Sequence, residues 1–226
     1  MKRAFRISIV SLASMAAMLF SVSAAAAAAE FPNPPADTQA MMKGTQTAVI
    51  AGGCFWGMEG VFERLKGVVD VTSGYSGGEK NTAHYEMVGS GLTGHAESIQ
   101  IHYNPAQISF GTLLKVFFSV AHDPTQLNYQ GPDHGSQYRS VIFYANDGQK
   151  QVAESYIRTL DKARLFSKPI VTQVVPLKAF YPAEDYHQKF LDNNPTYPYI
   201  VYWDLPKIAD LQRSYPELVA MNANGG

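Results

Sequence analysis

The chain has 226 residues, of which 46% are hydrophobic and 16% are charged. A chain of this length and composition can bury a core without a metal or disulfide framework, so we predict one compact domain. The formal net charge is −1, and no basic run or basic-aromatic pattern appears, which argues against a nucleic-acid partner. Cys54 is the only cysteine, so an internal disulfide is excluded.

The first 29 residues are predicted to be a secretory signal peptide. Three basic residues within the first six precede an uncharged apolar run over residues 7–22, and the alanines at 24–29 offer small-residue cleavage sites. Cleavage before Glu30 would change the formal net charge to −4, because three basic residues are lost. We therefore expect an exported protein, in the periplasm of a Gram-negative bacterium or else secreted. An uncleaved membrane anchor is the alternative.

The spacing of apolar residues predicts alternating strands and helices in a domain over residues 47–194. The connections are too short for a large parallel barrel. We therefore predict the α+β class, with a two-layer sandwich of a mixed, mainly antiparallel sheet and helices packed on it. In chain order, the predicted elements are an extended proline-containing arm over 30–46, a strand over 47–51, a helix to about Lys66, strands over 68–75 and 97–103, a helix over 110–120 capped by Ser109, a long polar loop over 122–137, a strand over 139–144, a helix over 151–164, a strand over 170–175, and a tail over 195–226 with a helix at about 206–214.

Cys54 lies in the segment Gly53-Cys54-Phe55-Trp56-Gly57, between the first predicted strand and the first predicted helix. The free N–H groups and the dipole at a helix start favour a thiolate, so we predict a thiol pKa below the usual value of about 8.5. The flanking aromatic pair either belongs to the core or walls a pocket for a small apolar group. The position favours a reactive thiol over a buried, inert one.

Polar side chains in two glycine-containing loops are candidate partners of the thiol. None is specific alone, because a carboxylate at a strand start is usually solvated and a tyrosine is usually half-buried packing. The histidine spacings do not match a compact zinc site. Two other classes stay open on the residues alone: a cysteine hydrolase with His95 or His134 as base, and a non-catalytic binding domain. The candidate partners are Tyr85, Glu97, Asp133, His134 and Tyr138.

Five motifs occur in order along the chain, at residues 53–57, 74–78, 94–97, 122–125 and 131–140. Together they resemble the motifs of the peptide methionine sulfoxide reductase A family. The resemblance spans about residues 47–194 and implies that family's two-layer α+β fold, which is related to the ferredoxin-like sandwich.

This resemblance implies repair of oxidised proteins by thiol-dependent reduction of (S)-methionine sulfoxide, either protein-bound or free. Cys54 would attack the sulfoxide sulfur and become a sulfenic acid, while Glu97, with a carboxyl pKa raised by burial, would protonate the departing oxygen. Tyr85 and Tyr138 would hold that oxygen, and Asp133 would orient the site. The residues implied to bind substrate are Gly53, Phe55, Trp56 and His134.

The chain departs from the common family pattern in one respect. Many members carry resolving cysteines near the C-terminus, whereas residues 195–226 contain none. The expected sulfenic acid at Cys54 must then be reduced by an external thiol, either a thioredoxin-like dithiol protein or a small thiol. No cofactor and no metal is expected besides this reductant, and we expect a monomer.

Overall fold

The computed structural model describes residues 31–34 and 44–220. The predicted signal peptide and most of the predicted arm lie outside these residues, so the structure does not test either prediction. Within the described ranges, no helix is long and apolar enough to cross a membrane.

Strands and helices alternate along the described chain. The strands are β1 (Gln46–Ala51), β2 (Val68–Ser76), β3 (Ala96–Tyr103), β4 (Tyr129–Gln130), β5 (Asp133–His134), β6 (Val141–Tyr144), β7 (Gln173–Pro176) and β8 (Phe180–Pro182). The α-helices are α1 (Phe55–Glu63), α2 (Tyr85–Val88), α3 (Phe110–Val116), α4 (Asp147–Ala163), α5 (Phe190–Asn193) and α6 (Leu205–Ser214). Two π-helical turns, Phe117–Ala121 and Ile200–Asp204, follow α3 and precede α6.

Six strands form one sheet in the order β7-β6-β1-β3-β2-β8. Only the β6–β7 pair is parallel, which confirms the predicted mixed, mainly antiparallel α+β sandwich. The main hydrophobic core lies between this sheet and the helices, and it includes Phe62 of α1, Ile99 of β3 and Tyr156 of α4. A smaller apolar cluster, including Val49 and Phe143, covers the other face. Strands β4 and β5 form a separate hairpin.

The register of the central strands places the thiol. Strands β1 and β3 are antiparallel, with Ile50 opposite Ile99, so the chain leaves β1 where β3 begins. Glu97, near the start of β3, is paired with Tyr75 of β2. Cys54 therefore follows β1 at the same edge of the sheet where the Glu97 carboxyl lies.

Several boundaries differ from the sequence prediction for local reasons. Helix α1 ends at Glu63, and the chain then turns at Gly67, which has a φ of 89°. Helix α4 begins four residues earlier than predicted, because the Asn146 side chain accepts a hydrogen bond from the Gln149 N–H at 3.0 Å. The predicted cap at Ser109 is confirmed. Strand β8 was not predicted, since a three-residue edge strand shows no clear period.

Candidate active site

A pocket of about 200 Å³ lies at the edge of the sheet where β1 ends and β3 begins. It contains seven of the nine predicted site residues and two tyrosines that the sequence analysis did not select. The lining residues are Cys54, Phe55, Trp56, Tyr85, Glu97, Asp133, Tyr138, Tyr197 and Tyr199.

The turn at Gly53 presents the thiol to this pocket. Gly53 has a φ of 98°, a conformation that favours glycine. A Cβ atom there would lie 2.6 Å from Cγ of Gln130. That side chain is fixed, because its amide accepts a hydrogen bond from the N–H of Asp123 at 3.1 Å and donates one to the Asp123 carbonyl at 3.0 Å. Gly53 therefore shapes the site without lining the pocket.

Cys54 is the N-cap residue of α1 and is buried. The predicted lowering of its pKa is wrong. Burial raises the thiol pKa well above its ordinary value, and the nearby Glu97, Asp204 and Asp133 carboxyls raise it further, while a hydrogen bond from the Trp56 N–H only partly offsets this. The favourable helix start is outweighed because desolvation and negative charge both disfavour a thiolate.

Glu97 is 3% exposed and accepts a hydrogen bond from the Phe55 N–H, with Oε2 at 3.1 Å. Burial raises the pKa of its carboxyl from 4.5 to about 8, with a further contribution from Asp133 and a partial offset from the Phe55 N–H. The predicted raised pKa of Glu97 is confirmed. At pH 7 the carboxyl therefore holds its proton and can donate it to a bound group.

Tyr85 and Tyr138 bring two phenol groups to the pocket. Burial raises the pKa of Tyr85 to about 12 and the pKa of Tyr138 above its ordinary value, with a further contribution from Glu97 in both cases. Both hydroxyls are therefore neutral hydrogen-bond donors at physiological pH. Tyr85 is positioned at the start of α2, where its backbone N–H donates to Oε1 of Glu184 at 3.0 Å.

Trp56 forms an apolar wall that two contacts hold in place. Its ring stacks on Phe190 with centroids 3.8 Å apart, and its indole N–H donates to Nδ1 of His187 at 3.1 Å. Phe55 is buried beside Tyr75, with ring centroids 5.8 Å apart. A small apolar group in the pocket would therefore meet rigid aromatic surfaces.

The segment that we predicted to be a tail supplies part of the pocket. The rings of Tyr197 and Tyr199 both pack edge-to-face against the ring of Trp56, at centroid distances of 6.2 and 5.8 Å. The Tyr199 hydroxyl donates to Oδ2 of Asp133. The only sequence signal for this role was the density of aromatic residues in an uncharged stretch.

A close contact between the Asp204 carboxylate and Gly57 packs this segment against the cysteine helix. Asp204 is fully buried, and its Oδ1 accepts a hydrogen bond from Nζ of Lys207 at 3.0 Å. The pair lies against Gly57, where a Cβ atom would come within 2.0 Å of that carboxylate oxygen. Gly57 therefore permits the close approach of α1 to the segment, and the approach brings a further carboxyl into the electrostatic environment of Cys54.

Neither histidine proposed as a base lies in the pocket. His134 is exposed and stacks on Tyr129, with ring centroids 5.4 Å apart, so the structure does not bring it to the predicted substrate site. His95 is buried with both ring nitrogens engaged, at 3.2 Å from the Gly78 N–H and 3.0 Å from the Glu79 carbonyl. The geometry therefore gives no support to a cysteine hydrolase. Among the described residues, no group of three or more His, Cys, Asp or Glu could hold a metal ion.

Comparisons with known proteins show which family the chain resembles. The family model described as "Peptide methionine sulfoxide reductase" matches residues 46–218. Peptide methionine sulfoxide reductase MsrA 2 of Mesorhizobium japonicum is 62% identical over 175 residues, which cover 77% of this chain and 90% of that protein. The protein of the same name from Synechocystis sp. is 52% identical over 189 residues, which cover 82% and 88%.

Two solved structures resemble the fold. The reduced form of Mxr1 from Saccharomyces cerevisiae matches with a TM-score of 0.62 and 38% identity, covering 68% of this chain and 87% of that one. Methionine sulfoxide reductase A of Corynebacterium diphtheriae matches with a TM-score of 0.59 and 36% identity, covering 69% and 78%. Since the family model spans most of the chain and takes in the whole pocket, the chain belongs to the peptide methionine sulfoxide reductase family.

Proposed function

We propose that this protein reduces methionine sulfoxide, free or within polypeptides, to methionine, with Cys54 as the oxygen acceptor. The observation that carries the proposal is one small pocket in which a buried thiol faces a carboxyl that is protonated at neutral pH. A hydrolase needs a base beside its thiol, whereas a sulfoxide reductase needs an acid for the departing oxygen.

The chemistry can be written with the groups in the pocket. The Cys54 sulfur forms a bond to the sulfoxide sulfur. The oxygen then moves to the Cys54 sulfur while the S–O bond of the substrate and the new S–S bond both break, which leaves Cys54 as a sulfenic acid. Glu97 gives its proton to the oxygen, and the thiol proton returns to the carboxylate. Methionine leaves, and the substrate is reduced by two electrons while Cys54 is oxidised by two.

The neighbouring groups would bind the two ends of the sulfoxide. Tyr85 and Tyr138 are neutral donors that can hold the oxygen during its transfer. The methyl group would rest on Phe55 and Trp56. Because oxygen donors and apolar walls occupy fixed positions, one sulfoxide epimer fits, and we assign the S epimer.

Regeneration requires an external thiol, since Cys54 has no cysteine partner in the chain. A first thiol displaces water from the sulfenic acid and forms a mixed disulfide; a second thiol then releases Cys54 and leaves as a disulfide. A thioredoxin-like dithiol protein supplies both thiols from one molecule, and a small thiol supplies them from two.

Mass spectrometry tests the first half-reaction. Incubation of the reduced protein with N-acetyl-(S)-methionine sulfoxide, without a thiol, should add one oxygen to Cys54 and release one equivalent of reduced product. The R epimer is the matched control and should give neither. Release of a thiol from a thioester substrate, with no oxygen added from the sulfoxide, would favour a hydrolase instead.

We also propose that residues 1–29 direct export and that the mature enzyme acts as a monomer in the periplasm or outside the cell. The basic start, the apolar run and the alanine-rich end support the signal peptide. N-terminal sequencing of the exported protein tests cleavage, and a start at Met1 would contradict it. Light scattering of the mature protein tests the monomer.

A further inference from the structure

Exposed apolar side chains are concentrated in one short segment beside the pocket. Of the ten large hydrophobic residues that are exposed in the described chain, five lie between residues 197 and 205. The exposed fraction is 75% for Tyr202 and 45% for Trp203. These five residues, Tyr197, Val201, Tyr202, Trp203 and Leu205, form what we call the aromatic ridge.

The ridge is fixed to the body of the protein and cannot bury these side chains by folding inward. Ile200 and Asp204 of the same segment are fully buried, and Asp204 lies against Gly57 of α1. The next buried positions of α6 are Ile208 and Leu211. The outward side chains are therefore held in water while the inward side of the segment is already packed.

The ridge is continuous with the pocket. Tyr197 lines the pocket and also has 47% of its surface exposed, so it belongs to both. Trp203 lies over Gly131, with ring atoms 3.4 Å from the position of a Cβ there, at the turn between β4 and β5. Strand β5 of that hairpin carries Asp133, another pocket residue. A chain whose side chain enters the pocket must therefore pass close to the ridge.

The chemistry of the ridge selects its partner. Residues 195–203 carry no charged side chain, and they combine aromatic rings with tyrosine hydroxyls. Such a surface binds apolar side chains and offers hydrogen bonds to an exposed backbone. Methionine is mostly a buried residue, so its neighbours in sequence are often apolar and become accessible when the protein unfolds. A folded protein surface would instead present charged groups.

We propose that the aromatic ridge is a docking surface for the unfolded polypeptide that carries the oxidised methionine, and that it selects apolar residues next to the sulfoxide. The sulfoxide side chain enters the pocket, and the flanking residues lie across the ridge. This inference rests on the proposed reductase function, and it adds the preferred substrate: unfolded, apolar sequence around the oxidised residue.

Single-turnover kinetics on the full chain, without a reductant, test this. Three substrates are compared: N-acetyl-methionine sulfoxide amide, a methionine sulfoxide peptide with leucine and valine flanks, and the same peptide with serine and glutamate flanks. The readout is the second-order rate constant for oxygen transfer to Cys54. For each peptide, this rate constant is divided by that of the small amide, and the resulting ratio measures what the flanking residues contribute.

Replacement of Trp203 by Ser, and separately of Tyr202 by Ser, should reduce this ratio about tenfold for the apolar peptide, because losing one aromatic anchor typically costs more than 1 kcal/mol of binding. The ratio for the polar peptide should not change. Tyr202→Ser folds without difficulty, since that side chain is mostly in water. Val69→Ser is the matched control: it removes another exposed apolar side chain, at the far end of β2 from Tyr75, and should change neither ratio.

Three results would overturn the proposal. Equal losses for the small amide and the apolar peptide would make the ridge part of the pocket structure. Rate constants that stay at the wild-type values for all three substrates would show that no substrate docks on the ridge. Losses that appear only in steady-state turnover with a thioredoxin-like protein would assign the ridge to the reductant. Failure of the wild-type protein to transfer oxygen from any of the three substrates would instead refute the reductase function itself.

Discussion

Comparison of the variants Glu97→Gln and Glu59→Gln separates two effects. One is the acid role of a carboxyl in the pocket, and the other is the effect of a buried carboxyl on stability. Both glutamates are almost fully buried, and burial raises the carboxyl pKa of each from 4.5 to about 8. Glu97 lines the pocket, whereas Glu59 lies in α1 and accepts a hydrogen bond from the Lys189 N–H at 2.9 Å. The two replacements are therefore matched in burial and charge and differ in contact with the substrate.

The effect of each replacement on stability follows from the two pKa values. The folded protein holds the proton more tightly than the unfolded chain, so each carboxyl begins to destabilise the folded state as the pH rises above 4.5, and the penalty is complete above about 8. At 1.36 kcal/mol per unit, the penalty is about 3 kcal/mol at pH 7 and about 5 kcal/mol above pH 8. Replacement by Gln removes this penalty. Each variant should therefore have a higher free energy of unfolding than the wild-type protein towards alkaline pH, and the difference should be small below pH 4.

Activity should distinguish the two. Glu97→Gln removes the proton that the departing oxygen takes, so oxygen transfer to Cys54 should slow by about 10² to 10⁴, while Glu59→Gln should keep the wild-type rate. The assays are urea unfolding from pH 4 to pH 9 and quench-flow detection of the sulfenic acid. A Glu97→Gln rate within a few fold of wild type would remove Glu97 from the acid role. An equal loss in Glu59→Gln would show that the effect is structural.

Four further predictions concern the surroundings of the thiol. Gly53→Ala should lower the free energy of unfolding by at least about 1–2 kcal/mol, because the residue needs a positive φ and its Cβ would contact a fixed glutamine side chain; an unchanged urea midpoint would contradict this. Alkylation of Cys54 by iodoacetamide should be slow at pH 7 and rise steadily towards pH 9, since its pKa is raised. Asp204→Asn should speed this alkylation at neutral pH, because a carboxylate that opposes the thiolate is lost while its lysine partner stays; a slower reaction would show that the carboxylate does not act on the thiol. Tyr199→Phe should cost about 1–3 kcal/mol of stability at pH 7, measured by urea unfolding, because it leaves a half-buried carboxylate without its donor, and no change would mean that water replaces the hydroxyl.

Local patterns predicted the elements that carry the thiol and the acid. The alternation of apolar residues over 97–103 and the glycines before Cys54 are short-range signals, so β3, the turn and the start of α1 could be read directly. The motifs then selected the residues that line the pocket with Cys54. The thiol pKa was predicted in the wrong direction, because burial and the three neighbouring carboxyls arise only when distant segments come together.

The contributions of the last part of the chain were hidden for a similar reason. Tyr199 reaches the pocket through a hydrogen bond to Asp133, 66 residues earlier, and no local period indicates such a contact. Gly57 looked like a motif position, yet its role is to admit the carboxylate of Asp204. Long-range contacts of this kind depend on packing, which sequence spacing does not encode.

The last part of the chain completes the pocket, because Tyr197 and Tyr199 both lie after α5. A chain made only as far as α5 has the thiol, the acid and the first aromatic wall, but lacks these two pocket residues. Such a chain also lacks Asp204, one of the carboxyls that raise the pKa of Cys54. The complete surroundings of the thiol therefore form only when the last turns of the chain pack against α1.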